Sequence, residues 1–558
     1  MKSLTMTRLL LGILLLFLMA CTTKTVQQEA RDKRPNIVVI MADDLGYSDL
    51  GCFGGEVNTP TLDRLAKNGI RMTQFYNTAR CCPTRASFLT GLYPHQAGIG
   101  AMTGDKGLSG YRGHLTENTV TIAEVLKTAG YRTGMVGKWH VSLTKAQKGE
   151  KQLKWLAHQK NFGDFSDRAS YPTGRGFEKY YGNIWGVVDY FDPFSLVNGE
   201  EPVESVPADY YHTVAIGDSA VAYVDEFAKD DKPFFLYVAH CAPHWPLQAL
   251  PEDIEKYKDT FTKGWDAIRE TRYKRMVDMG LLKESESVLS PRMFKEKWKD
   301  NADTVWDAHA MAVHAAMIDR LDQTVGNLVA KLEETGELDN TIILFFSDNG
   351  ASPEQPIRAG FDRAGETREG ETVVFPRDKK SLPGPQTVHA GIGKEWANVA
   401  NTPYRYFKAK VFEGGIRTPM IVHWPKGIQQ KGSFVSNLGH VSDLMATFVE
   451  LAQTNYPETF EGRTITPTVG KSLLPAMQGV GKVKHDLLFW EHLGNKAIRI
   501  GDWKLVMLKE TDKWELYNLA EDQTELQDLS DKYPDKLKEM VALWEQKANA
   551  YQVYPNPQ

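Results

Sequence analysis

Four apolar runs, at 36–41, 233–240, 341–346 and 419–424, limit what this chain can fold into more than any other feature. Each is rich in Val, Ile or Phe and none alternates with polar residues, as expected of strands buried on both faces of a covered sheet. Polar residues crowd the carboxyl end of each run, and helical patterns at 61–68, 120–129 and 310–333 lie between them. Strands and helices in alternation predict a doubly wound α/β sheet, whose ligands gather where the strands end. A chain of 558 residues exceeds what one core holds, which is about 250–300 residues. Beyond 480 the pattern shifts to short runs at 497–500, 503–507 and 514–517 and a closing helix at 534–551, which reads as a smaller antiparallel α+β unit. The expected organisation is therefore a main domain at 35–480 and a subdomain at 481–558. The charged stretch 252–299 and the polar span 351–400 read as surface insertions of the kind that shape a substrate mouth.

Composition excludes several classes. With 42% hydrophobic and 25% charged residues the chain is neither disordered nor membrane-embedded, and a net charge of −5 supplies no basic field for nucleic acid. Five Cys, at 21, 52, 81, 82 and 241, contain no CxxC spacing and predict neither a disulfide framework nor a zinc site. Lys2 and Arg8 precede an apolar run at 9–20 that suits an export signal and is too short to span a bilayer. Leu18-Met19-Ala20-Cys21 resembles the lipobox of bacterial lipoproteins, with Met19 where a small residue is usual. That resemblance implies a signal peptide at 1–20, a tether at 21–34, and an exported periplasmic or cell-surface lipoprotein held to its membrane through Cys21 alone. The alternative is an ordinary cleaved signal with a chance Cys.

Two groups of residues carry chemistry. Asp43 and Asp44 follow the first run, and Asp348 and Asn349 follow the run at 341–346. On spacing alone such residues are more often turns or helix caps. As a shared set of hard oxygens without His or Cys they suit Ca²⁺ or Mg²⁺. Residues 80–91 place Cys81 ahead of Pro83 and Arg85 one turn further on, at the opening of an apolar helix where positive dipole and free N–H groups meet a nucleophile. The plain reading of the Cys81-Cys82 pair is a buried structural one.

The stretch Cys81-Cys82-Pro83-Thr84-Arg85, with Leu89-Thr90-Gly91 after it, closely resembles the signature of the type I sulfatases, with Thr84 where Ser is usual. The resemblance runs over most of residues 34–540 and implies an alkaline-phosphatase-like fold. In that family the Cys becomes formylglycine, so Cys81 is the expected nucleophile and Arg85 its support. Asp43, Asp44, Asp348 and Asn349 are implied as ligands of Ca²⁺, with Mg²⁺ also suited and the residue at Cys81 sharing the metal. Lys138 and His140, His244, and Lys408 ahead of Glu413-Gly414-Gly415 correspond to the remaining sulfate-binding and proton-transfer positions. Lys410 lies near enough to compete with Lys408 on spacing, and His240, His423 and His440 are read as structural.

The resemblance implies a hydrated aldehyde at position 81 that attacks the sulfate. Arg85, Lys138 and Lys408 neutralise charge, His244 with Lys408 protonates the departing oxygen, and His140 takes the proton from the second hydroxyl. The implied activity is a sulfuric ester hydrolase acting on sulfated glycans, for example exo-acting on sulfated galactose or N-acetylhexosamine of mucin-type glycans. Trp139, Trp185 and Trp245 are available to stack on sugar rings. Its implied partners are the glycan and a formylglycine-generating or anaerobic sulfatase-maturating enzyme. The competing readings are a formylglycine-dependent phosphonate or phosphodiester hydrolase and a non-catalytic glycan-binding lipoprotein.

Overall fold

The computed structural model describes residues 33–144, 166–294, 296–360, 363–367 and 369–557, so the signal, the lipobox and most of the tether lie outside the described residues. The strands of the large sheet are β1 (Asn36–Ala42), β2 (Ile70–Tyr76), β3 (Arg132–Gly137), β4 (Lys179–Asn183), β5 (Leu196–Asn198), β6 (Glu201–Pro202), β7 (Phe234–Ala239), β8 (Thr341–Ser347), β9 (Arg417–His423), β10 (Ser433–Val435) and β11 (Gly439–His440). Their order is β10-β2-β9-β8-β1-β7-β3-β4-β5-β6, with β11 also on β2. β1 lies at the centre, parallel to β7 and β8, with Ile37 level with Phe235 and Ile342. All seven of its residues are buried, which is why its sequence shows no alternation.

Successive side chains of these strands serve opposite faces. Val38, Ile40, Leu236 and Phe345 pack with α1 (Pro60–Asn68), while Ile37, Val39, Phe235 and Leu344 pack with α2 (Cys81–Thr90) and α3 (Ile122–Thr128). The first face is completed by α4 (His212–Phe227) and the 31-residue α5 (Thr304–Glu334), the second by α6 (Asp443–Leu451). The fold is thus a mixed sheet covered on both faces.

β9 corrects one expectation. It runs antiparallel to both β8 and β2, so the end of the apolar run at 419–424 lies on the edge opposite the ends of β1, β7 and β8. Its amino end, with the loop that carries Lys408, is what reaches the edge where the central strands finish.

The insertions also differ from expectation. Residues 264–278 form a helix in which Trp265, Ile268 and Met276 are buried, and Arg272 is wholly enclosed between Asp49 at 2.7 Å and Glu56 at 2.6 Å. Charge read as solvated surface is here paired internally, because a fixed guanidinium can be buried when carboxylates meet it. Residues 393–400 likewise form a helix whose Trp396 is fully buried.

A two-stranded hairpin, β12 (Thr459–Phe460) and β13 (Arg463–Thr464), precedes the C-terminal sheet of β14 (Leu488–His492), β15 (Asn495–Ile500), β16 (Trp503–Leu508) and β17 (Lys513–Asn518). One face of that antiparallel sheet covers α7 (Pro534–Ala550) through Ile498, Leu505 and Trp544. The other face packs Trp490 and Val506 on Tyr76, Ala79 and Phe412, the segments that enclose Cys81 and Lys408 in sequence. Trp490 Nε1 donates to the Asn77 carbonyl at 2.8 Å, and Lys504 sits buried between Glu413 and Glu525, 2.7 Å from each.

Candidate active site

The strand ends fix the site through backbone ladders that continue past the last sheet residue. Asp43 N donates to Ala242 O at 3.1 Å, Asp348 N to Ala42 O at 3.1 Å and Lys138 N to Ala239 O at 2.8 Å. Asp44 and His140 adopt φ of 66° and 58°, and Ala79 and Ala409 adopt 66° and 69°. Side chains seldom accept that left-handed region, and it clusters where surrounding structure over-determines the backbone. Ala409 N is held by Ala79 O at 2.8 Å, which joins the Lys408 loop to the segment before Cys81.

Cys81 opens α2, all ten residues of which are buried, and so stands in the first turn, where backbone N–H groups have no partner within the helix. The Thr84 hydroxyl lies 3.0 Å from both the Thr78 amide and the Thr78 hydroxyl, so the residue that departs from the usual Ser performs a local task in the turn before Cys81.

Three carboxylates at the strand ends are each paired with a cation, and Asp43 lies 3.6 Å from Arg85 besides its own lysine. Lys138 pairs with Asp43; Lys408 meets Asp44 at 2.9 Å; Arg85 grips Asp348 through Nε at 3.1 Å and Nη2 at 2.8 Å. Arg85 also donates to the Lys138 carbonyl at 2.8 Å, and Asn349 Nδ2 to Asp44 Oδ1 at 2.6 Å. Burial, reinforced by Asp348, raises the Asp43 carboxyl above its ordinary value. Burial presses Asp44 in the same direction, but Lys408 and His244 outweigh it and hold that carboxyl low. Burial also drives the Cys81 thiol well up despite Lys138 and Lys408, leaving an unmodified Cys81 protonated and weakly nucleophilic at neutral pH.

Ligand atoms of Asp43, Asp44, Cys81 and His244 lie within 4.8 Å of one another. Asp43 Oδ1 and Asn349 Oδ1 are buried without a hydrogen-bond partner. Orphaned buried oxygens are costly, and hard donors of this kind fit Ca²⁺ or Mg²⁺.

The two histidines are placed differently. His244 donates from Nδ1 to the Trp245 carbonyl at 2.5 Å, which leaves Nε2 as an acceptor 3.2 Å from Lys408 Nζ. Burial, with Lys408 adding to it, draws His244 down to about 4. His140 lies against Trp185, with ring centroids 5.4 Å apart, and its Nε2 is 3.5 Å from Cys82 Sγ rather than against Cys81. Its Nδ1 is buried without a partner, and burial beside Lys138 and Arg85 keeps the ring neutral. Lys410 turns away to Glu510, so the competition with Lys408 is resolved in favour of Lys408 as the lysine in this cluster. Trp139 is 0% exposed and its indole donates to Ser142 and Ser170, so it cannot serve as a sugar platform; Trp185 and Trp245 retain partial exposure.

Sequence reasoning missed Arg80 and Glu354. Glu354 accepts from Trp245 Nε1 at 3.0 Å and Lys408 at 3.2 Å, and meets Arg80 at 2.9 Å. Its only signal was its place shortly after Asp348-Asn349; Arg80 had the stronger one of preceding Cys81.

The chain belongs to the sulfatase family: the Sulfatase model matches residues 35–454, and the model described as N-sulphoglucosamine sulphohydrolase, C-terminal, matches residues 403–552. It is accordingly a sulfuric ester hydrolase. It is 33% identical to an uncharacterized sulfatase of Schizosaccharomyces pombe, over 93% of this chain and 94% of that one. It is 32% identical to the arylsulfatase of Klebsiella aerogenes, over 80% of this chain and 92% of that one. Among solved structures it resembles Ps i-CgsB in complex with k-i-k-neocarrahexaose, with a TM-score of 0.64, 26% identity and 94% of each chain covered.

Proposed function

We propose that this chain removes sulfate from carbohydrates, using formylglycine formed from Cys81 and a Ca²⁺ ion held by Asp43, Asp44, Asp348 and Asn349. The observation that carries the reading is the set of three carboxylate–cation pairs gathered around a residue at the start of a buried helix. Bound there, the cation would supply Lewis-acid polarisation and lower the pKa of a neighbouring hydroxyl. The hydrated aldehyde would supply that hydroxyl. Arg85, Lys138 and Lys408, all buried, neutralise charge on the sulfate oxygens. The Lys408–His244 pair delivers the proton to the departing alcohol oxygen. His140, neutral and with Nδ1 free of partners among the described residues, accepts the proton released as the aldehyde re-forms.

The oligosaccharide bound by the similar Ps i-CgsB supports a sugar as the alcohol. Sulfated galactose or N-acetylhexosamine of mucin-type glycans, taken from a chain end, is the substrate we assign. The lipobox-like Leu18–Cys21 supports an exported lipoprotein that meets such glycans outside the cytoplasm.

Peptide mass spectrometry over residues 79–85 tests the nucleophile, on protein made with and without a maturating enzyme. The expected result is a loss of about 18 Da at Cys81 that coincides with sulfate release from a panel of sulfated monosaccharides and an aryl sulfate. Sulfate release without conversion would overturn the mechanism. Preference for an aryl phosphodiester over every sulfate would overturn the substrate class.

A further inference from the structure

The charged side chains around Cys81 divide by exposure. Those of Asp43, Lys138 and Arg85 are 0% exposed, Lys408 1%, Asp44 2% and His244 5%. Arg80 and Glu354 keep 19% and 31%. If the buried group takes the sulfate end of an ester, as proposed above, the alcohol portion leaves the centre past these two.

Their arrangement suits a polyhydroxylated alcohol. Arg80 Nη2 and Glu354 Oε1 stand 2.9 Å apart, which presents a charged donor and a charged acceptor side by side. Arg80 Nε is buried without a partner. The other oxygen of Glu354 is held by Trp245 Nε1 and Lys408, and Ser352 lies 3.3 Å away, so the carboxylate is fixed in place. The Trp245 ring, partly exposed, lies 4.9 Å from the His244 ring between centroids and has the Arg363 guanidinium 5.5 Å from its centroid, so it stands beside the polar pair as a wall that already carries one cation. Adjacent hydroxyls of a sugar need such a donor and acceptor, whereas an aryl alcohol has nothing to give them.

Resting on the function proposed above, we propose that Arg80 and Glu354, flanked by Trp245, determine specificity for the sugar. Glu354 accepts a hydrogen bond from a hydroxyl next to the sulfated carbon, and Arg80 donates to a second oxygen of the same ring. Hydrogen bonds to a charged group contribute about 1.5–3 kcal/mol, so their loss costs roughly 10–150-fold.

The test compares the parent with Glu354→Gln and Arg80→Gln, each normalised to its formylglycine content and checked by thermal melting. The substrates are the best sulfated monosaccharide of the panel, its analogue lacking the adjacent hydroxyl, and an aryl sulfate. Glu354→Gln is expected to lower the sugar-to-aryl ratio of kcat/KM by roughly 10–100-fold, chiefly through KM, and to erase most of the parent's discrimination against the deoxy analogue. Arg80→Gln gives an independent reading of the same ratio should Glu354→Gln fail to fold. An equal fall on sugar and aryl sulfate would mean that Glu354 acts only by holding Lys408, and would overturn the proposal, as would an unchanged ratio. If the parent cleaves the aryl sulfate but no sugar, the carbohydrate reading fails and takes this pair with it. A converted parent inactive on every sulfate ester would refute the function itself.

Discussion

Lys408 holds Asp44 in a buried ion pair of 2.9 Å, so a side chain proposed to face the sulfate is tied to one proposed to face the metal. Removing one partner of a buried pair leaves the other uncompensated, at a cost of about 3–5 kcal/mol. Lys408→Ala is expected to lower the melting temperature in EDTA and to recover part of the loss in Ca²⁺, which can neutralise Asp44 in its place. Its kcat is expected to fall by on the order of 10²–10³. A melting temperature indifferent to Ca²⁺ would contradict the placement of Asp44 in the metal set.

The same relationship holds for Asp43 with Lys138 and Asp348 with Arg85. A dication on the carboxylates loosens all three cations toward an anion, so metal and sulfate should assist each other. Coupling is reciprocal, and values on the order of 5–150-fold are usual. Calorimetry on Cys81→Ser should find that Ca²⁺ tightens sulfate binding and that sulfate tightens Ca²⁺ by the same factor. Independent affinities would refute the coupling.

Gly186 lies flat against the His140 ring, where an added Cβ would overlap three ring atoms. Gly186→Ala should displace the imidazole and leave the ion-pair cluster intact. Misplacement of a catalytic group by about 1 Å costs roughly 10² in rate, so kcat should drop by that order while Ca²⁺ affinity and melting temperature change little. A variant with parental kcat would remove His140 from the mechanism.

Buried histidines set the acid limit of stability. Burial draws His212 and His240 down to about 3 and His440 to about 4, against about 6.5 in the unfolded chain. Because the folded values are depressed, their contribution is complete above pH of about 6.5 and is lost as pH falls toward 4 and below. Urea midpoints should therefore be flat near neutrality and decline steadily from about pH 6.5 to 4. A flat profile through pH 4.5 would show that these rings are hydrated.

The central strands were legible because β1, β7 and β8 are buried on both faces and carry unbroken apolar runs. The direction of β9 was not, since such a run has the same composition whichever way it points. Arg272 was unreadable for a related reason: a buried cation looks like a surface one until Asp49 and Glu56 are seen beside it. At the site, Asp43, Asp44, Asp348, Asn349, Arg85, Lys138, Lys408 and His244 were all reachable through motifs, and the structure gathers them around Cys81. Glu354 escaped because it enters from the polar span, where nothing in the local sequence distinguishes it from solvated acids. Trp139 was misjudged because adjacency to Lys138 and His140 in sequence says nothing about which face of the loop it occupies.

The direction of β1 carries one more consequence. Asn36 and Asp43 stand at opposite edges of the sheet, seven residue steps of extended chain apart at about 3.3 Å each. Arg34, two residues ahead of β1, therefore lies at the edge remote from the charged centre. Substitutions at that remote edge should therefore leave the chemistry untouched, since about 23 Å of sheet lies between it and the charged centre.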